Sequence, residues 1–142
     1  MDKTVSLEEL GFAIAEIVNS YCKELKDEID KTVELTARET LEEVKQKAPV
    51  YTYRYRGRRT PGKYKRNIKL TKEYNIFGNR SYIVHVGGRQ YGLAHLLEDG
   101  HLLQNGRRTK PQKHWKPAEE NAQRKLYSRV DNVIQRLWRI CN

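Results

Sequence analysis

Residues 6–47 read SLEELGFAIAEIVNSYCKELKDEIDKTVELTARETLEEVKQK, and the reading of this stretch decides the fold. Ser6-Leu7-Glu8-Glu9 fits a capping box: the Ser6 hydroxyl accepts from the Glu9 amide, and the Glu9 carboxylate accepts from the Ser6 amide. A helix is therefore expected to start at Leu7. Leu7, Leu10, Ile14, Ile17, Val18, Tyr21, Leu25, Ile29, Val33, Thr36, Thr40, Leu41 and Val44 then step by threes and fours, as one face of an α-helix requires. Pro49 ends it, because proline disfavours the α region at Ala48. Unbroken, such a helix is about 60 Å long at 1.5 Å per residue, more than a domain of this size needs. Either it bends between Asp30 and Thr36, or one end projects and packs on another subunit.

This helix is also where the negative charge sits. Residues 1–47 hold seven Lys/Arg against twelve Asp/Glu, which leaves 21 basic and six acidic residues in the remainder. The formal net charge of +10 thus conceals a dipolar chain. The basic part repels itself unless it meets a negative partner, such as a neighbouring copy's acidic helix or a nucleic acid.

At 142 residues, 37% apolar and 32% charged, the chain has the composition of one modest core. That balance suits an elongated domain or a subunit that draws stability from its neighbours. No apolar run approaches the ~18 residues that cross a bilayer, and residues 1–20 lack the basic start and small-residue cleavage site of a leader, so a soluble, cytosol-made protein with no membrane partner is expected. Cys22 and Cys141 stand 119 positions apart without metal spacing, and are read as reduced, half-buried small hydrophobes.

Residues 51–66, YTYRYRGRRTPGKYKR, alternate tyrosine with arginine and lysine and contain no acid; they are expected to form a long basic loop. Two β signals follow, 67–77 in two segments and then Tyr82, Val84 and Val86 alternating with Ile83 and His85, with Gly78-Asn79-Arg80 as a turn. A small antiparallel meander is the expectation. YGLAHLLEDGH, 91–101, is a short helix or a strand, and QNGRRTKPQKH, 104–114, a second basic loop in which Asn105-Gly106 offers a type I′ turn. Pro117 at the first helical position, Glu119 and Glu120 in the first turn, and Ala118, Ala122, Leu126, Val130, Val133, Ile134, Leu137 and Ile140 mark a C-terminal helix. Without repeats or a linker between two cores, residues 1–142 form a single α+β domain, both helices packed on a small antiparallel sheet.

His95 and His101 flank Glu98 and Asp99, residue types that serve acid–base catalysis and metal binding. The spacing matches no metalloprotease pattern, and no nucleophile setting accompanies it. A structural turn with a solvated acidic tip is the better reading, and His114 beside Trp115 reads as packing before the helix. No catalytic residue, cofactor or metal ligand is assigned. The 51–66 segment does have the aromatic and basic interleaving of single-strand nucleic-acid binders. It equally fits a protein interface or a solvated surface, and no recognised nucleic-acid motif accompanies it.

Three stretches together resemble a known family. Lys47-Ala48-Pro49-Val50 closing a long helix, then Thr60-Pro61-Gly62-Lys63-Tyr64-Lys65-Arg66-Asn67-Ile68 leading into a strand, is similar to the signature of small neck and minor tail proteins of long-tailed bacteriophages. Tyr91 to Gly100, an aliphatic stretch ending in Glu98-Asp99-Gly100, and Lys113 to Asn121, opening the last helix, stand in the matching order. The resemblance spans about Leu7 to Ile140; the inserted YTYRYRGRRT, Asp99 and Trp115 depart from the pattern. It implies a non-enzymatic virion component, assembled in the host cytoplasm. Such a head–tail joining or tail-completion protein forms a ring, of six-fold symmetry, between the connector and the tail tube.

A closed ring needs two different surfaces that meet head to tail. The expected pairing is Glu24, Asp27, Glu28 and Glu34 on one copy with basic loops on another copy or a partner: Arg56, Arg58, Arg59, Lys63, Lys65 and Arg66, or Arg107, Arg108 and Lys110. DNA passing through the channel is a further, weak partner for the same bases. A basic nucleic-acid-binding protein is the alternative, and a His-dependent nuclease or toxin-like enzyme the lower one.

Overall fold

The computed structural model describes residues 7–50, 52–55 and 58–141, with side chains for 12–50 and 61–140. Helix α1 (Leu7–Lys47) is one helix of 41 residues. It is described from Leu7 onward, and the Ser6 cap expected to start it lies outside the described residues. Then come β1 (Thr52–Tyr55), β2 (Arg58–Pro61), α2 (Lys63–Arg66), β3 (Ile68–Tyr74), β4 (Arg80–Val86), a 3₁₀ turn at Gly88–Gln90, α3 (Leu93–Asp99) and α4 (Trp115–Cys141).

The 51–66 stretch is not one loop. Thr52–Tyr55 and Arg58–Pro61 pair antiparallel, Thr52 opposite Pro61 and Tyr55 opposite Arg58, because the tyrosines and threonines between the arginines are strand formers. Gly62 then takes a left-handed φ of 67° and starts the four-residue α2, too short to leave a helical period in the sequence. Nor is there a three-segment meander: β3 runs through Thr71-Lys72 without a turn and pairs with β4 over seven positions, from Ile68 opposite Val86 to Tyr74 opposite Arg80. The reversal begins earlier than Gly78. The Asn75 side-chain oxygen accepts from the amides of Phe77 (3.0 Å) and Asn79 (2.8 Å), so Ile76 and Phe77 sit in the turn and are exposed.

Ile68, Leu70, Tyr82, Val84 and Val86 share one face of this hairpin, and α1 packs against both strands. Val44, Ala48, Tyr64, Ile68, Val86 and Ala118 form the buried cluster, with Leu41, Val84, Leu93, Leu97 and Trp115 around it. The other side of α1 carries α4. Thr36 opposes Arg129, Glu28 opposes Arg136 and Glu43 opposes Asn121, which fixes the two helices antiparallel in constant register. Val133 and Leu137 are buried. The threonines on this face satisfy themselves: Thr32, Thr36 and Thr40 each donate to the carbonyl four residues back, at 2.7–2.8 Å.

Candidate assembly surfaces

The α4 N-terminus is set by a residue the sequence suggested was a solvated tip. Glu98 turns inward: its Oε2 accepts from the His114 (2.9 Å) and Trp115 (3.1 Å) amides, and its Oε1 from Lys116 (2.9 Å). The next residue, Pro117, has no N–H to satisfy. All the orphan donors of the first turn are thereby accounted for, and the helix starts at Trp115, two residues before the expected first position. Burial pushes the Glu98 carboxyl up, but the three amides outweigh it and hold the group below its ordinary range.

His114, fully buried, completes this joint. Its Nδ1 donates to the Gln112 carbonyl (2.7 Å), and its Nε2 is hydrogen-bonded with the Tyr64 hydroxyl (2.8 Å). That hydroxyl in turn accepts from the Trp115 indole (3.0 Å). Burial raises the Tyr64 hydroxyl pKa, partly opposed by the indole donor. The joint ties α2, α3 and α4 together and confirms His114 as a packing residue.

The other histidines do not converge. His95 is exposed, His101 faces Thr109, and His85 contacts Thr71. Among the described residues no group of His, Cys, Asp and Glu could hold a metal ion. Loop 101–113 is held by Thr109 donating its amide to the His101 carbonyl (2.9 Å), and by the Gln112 amide on Leu97 (2.7 Å). Its turn also differs from type I′: Gly106 donates to Leu103 at 3.0 Å, so glycine is the fourth residue, not a central one.

Much of the charge division closes within the chain. Arg129 reaches Glu39 at 2.8 Å, Lys125 reaches the same carboxylate at 3.0 Å, and Arg136 reaches Glu28 at 2.6 Å. Glu39 is held low by Arg129 and then Lys125, and Glu28 by Lys31 and then Arg136. Glu34 pairs with Arg38 (2.7 Å) and accepts from the Tyr82 hydroxyl (2.8 Å). Of the four acids singled out in the sequence, Glu28 and Glu34 thus have partners in their own chain. Glu24 and Asp27 have none among the described residues. Arg107, Arg108 and Lys110 lie exposed on loop 101–113, and Lys63, Lys65 and Arg66 lie on α2, none with an acidic partner among the described residues. Arg56 lies outside the described residues, and of Arg58 and Arg59 only the strand is described.

The apolar surface left over was less legible. From the register Glu43–Asn121 and Glu28–Arg136, α4 ends opposite about Lys23, so the N-terminal turns of α1 run on past it. Phe12, Ile14, Ile17 and Val18 are exposed there, as are Tyr127, Ile134 and Trp138 on α4 and Ile76 and Phe77 on the hairpin tip. Cys22, expected half-buried, is exposed because it stands on this uncovered stretch; the Cys141 side chain lies outside the described residues. The chain exposes 11494 Å² in all, against about 7,700 Å² for a compact monomer of its mass.

A family model described as "Bacteriophage HK97-gp10, putative tail-component" matches residues 12–100, more than half of the chain. The match takes in α1 from Phe12, both hairpins, α2 and α3, and stops before α4. No curated protein and no solved structure matches the chain. Among the described residues no helix is long and apolar enough to cross a membrane.

Proposed function

Because the chain belongs to the HK97-gp10-like family of bacteriophage tail components, a structural constituent of the virion, we propose that it is a head–tail joining, or tail-completion, protein. In this reading it forms a ring of six-fold symmetry between the connector and the tail tube, contacts both, assembles in the host cytoplasm and performs no catalysis. The observation that supports it beyond family membership is the excess of exposed surface, roughly half again what a compact monomer shows. A ring subunit covers two faces, about 800 Å² per partner at each standard interface. The excess is large enough for both.

Charge supports the same reading. α1 and α4 neutralise one another within the subunit, so Glu24 and Asp27 on α1 and the bases of loop 101–113 and α2 remain for neighbours or for DNA in the channel. Exposed ion pairs contribute at most about 1 kcal/mol each and are screened beyond ~8 Å, so they set orientation and encounter rate. Apolar contacts supply the affinity. Removing the gene from its phage and examining the lysate by electron microscopy tests the proposal: filled heads and separate tails should accumulate, and the plasmid-borne chain should restore joined particles. Joined, infectious particles without the chain would rule the function out.

A further inference from the structure

We propose that one copy's projecting α1 segment docks on the flank of α4 of a second copy, making the subunit contact of the ring; this rests on the assembly reading above. Three observations carry it. First, a strip on α1 continues the row that α4 covers within the chain: Ile29 and Thr36 lie in the covered part, half-buried Leu25 lies beside the last turn of α4, and half-buried Tyr21 with exposed Val18 and Ile14 carry the row past its end. The geometry this row takes is a packed helix.

Second, α4 offers a matching strip. Tyr127, Ile134 and Trp138 are 75%, 43% and 63% exposed and lie on its flank, away from buried Val133 and Leu137. Their spacing of seven and four residues repeats that of Ile14, Tyr21 and Leu25. Each strip is about 16 Å long at 1.5 Å per residue, so the two can lie side by side.

Third, the edges are complementary. Ile17 and Tyr21 share a groove with Glu16 and Glu24, so the α1 strip is bordered by carboxylates. Exposed Arg124 and Arg139 stand near the two ends of the α4 strip. Residues 12–30 carry five acids and two bases; of the five bases in residues 121–140, Lys125, Arg129 and Arg136 are held by Glu39 and Glu28 of their own chain, which leaves Arg124 and Arg139 beside one acid, Asp131. A second α1 segment would meet like charge, whereas the ends of the α4 strip offer Arg124 and Arg139. Because the two strips differ, the contact is heterologous and can close into a ring.

The test uses two full-length variants, Ile17→Glu with Val18→Glu on α1 and Trp138→Glu on α4, each checked for native helicity and cooperative melting, and analysed by sedimentation equilibrium up to about 100 µM. The unaltered chain should associate, and each variant alone should sediment as a monomer. An equimolar mixture should give a dimer and nothing larger, because only one intact strip of each kind remains per pair. Trp138→Ala and Val18→Ser serve as milder versions if a glutamate variant fails to melt cooperatively, and should weaken association at least tenfold. An unaltered chain that stays monomeric, variants that associate normally, or a mixture that forms no dimer would each overturn the contact. Failure of the assembly function itself reads out separately, as absence of the chain from purified virions while association in solution persists.

Discussion

Replacing Glu98 with alanine should destabilise the whole domain through the backbone amides it leaves without an acceptor. Its carboxylate accepts three backbone amides that have no other acceptor, at 2.9, 3.1 and 2.9 Å. Two are part-buried and the third, on Lys116, is exposed, so each bond is worth about 1 kcal/mol, below the usual range for bonds to a charged acceptor. The total loss of about 3 kcal/mol corresponds to a melting temperature lower by about 10 °C for a chain of this length. Glu98→Gln retains the shape but turns an amide N–H₂ toward backbone donors, and should lose about half as much. The folded-state carboxyl titrates below its ordinary range, so its contribution is complete above the unfolded value of about 4.3 and is lost as pH falls through the folded value. Urea unfolding of the unaltered chain and Glu98→Gln between pH 3 and 7 reads this directly: the stability gap should narrow in acid. A loss below about 1 kcal/mol for Glu98→Ala, or a gap independent of pH, would refute the assignment of Glu98 as the cap that starts α4.

Tyr64→Phe removes the hydroxyl that joins His114 Nε2 to the Trp115 indole, and should cost about 2 kcal/mol in urea unfolding with no change in helix content. Gly100→Ala should cost about 2 kcal/mol or more by the same measurement, because Gly100 has a φ of 72° and an added Cβ would stand 2.5 Å from the Thr109 carbonyl oxygen. Reversing Glu24 and Asp27 to lysine should leave melting unchanged within about 0.5 kcal/mol and slow assembly at low salt, since neither has an acidic-to-basic partner in its own chain among the described residues. If the bases of loop 101–113 contact DNA, neutralising Arg107, Arg108 and Lys110 should flatten the salt dependence of binding by about 0.9 per lost phosphate contact in fluorescence anisotropy.

The long helix, the C-terminal helix and the paired strand at 80–86 were legible because each carries an apolar period over many residues. The β1–β2 hairpin was hidden by its charge: arginines dominate the composition of 51–66, while the Tyr and Thr that favour the strand are the minority signal. Four-residue α2 leaves no period at all. The role of Glu98 was not readable locally, because the amides it caps lie 16 to 18 positions away, brought close by the turn at Gly100 and the loop that follows. The same applies to the charges. The acidic and basic halves of the sequence suggested contacts between copies, and the antiparallel α1–α4 register shows that Glu28 and Glu39 are matched within one. Helix length alone left open a bend between Asp30 and Thr36 or a projecting end; that one end projects, and which residues it leaves uncovered, depends on where α4 ends.

Quantitative mass spectrometry of purified virions, with portal and tail-tube proteins as internal standards, tests the central claim most directly. The account predicts that the chain is retained in joined particles at the stoichiometry of one six-fold ring, far below the tail-tube protein. Its absence from purified particles, or a copy number matching the tail tube, would contradict it.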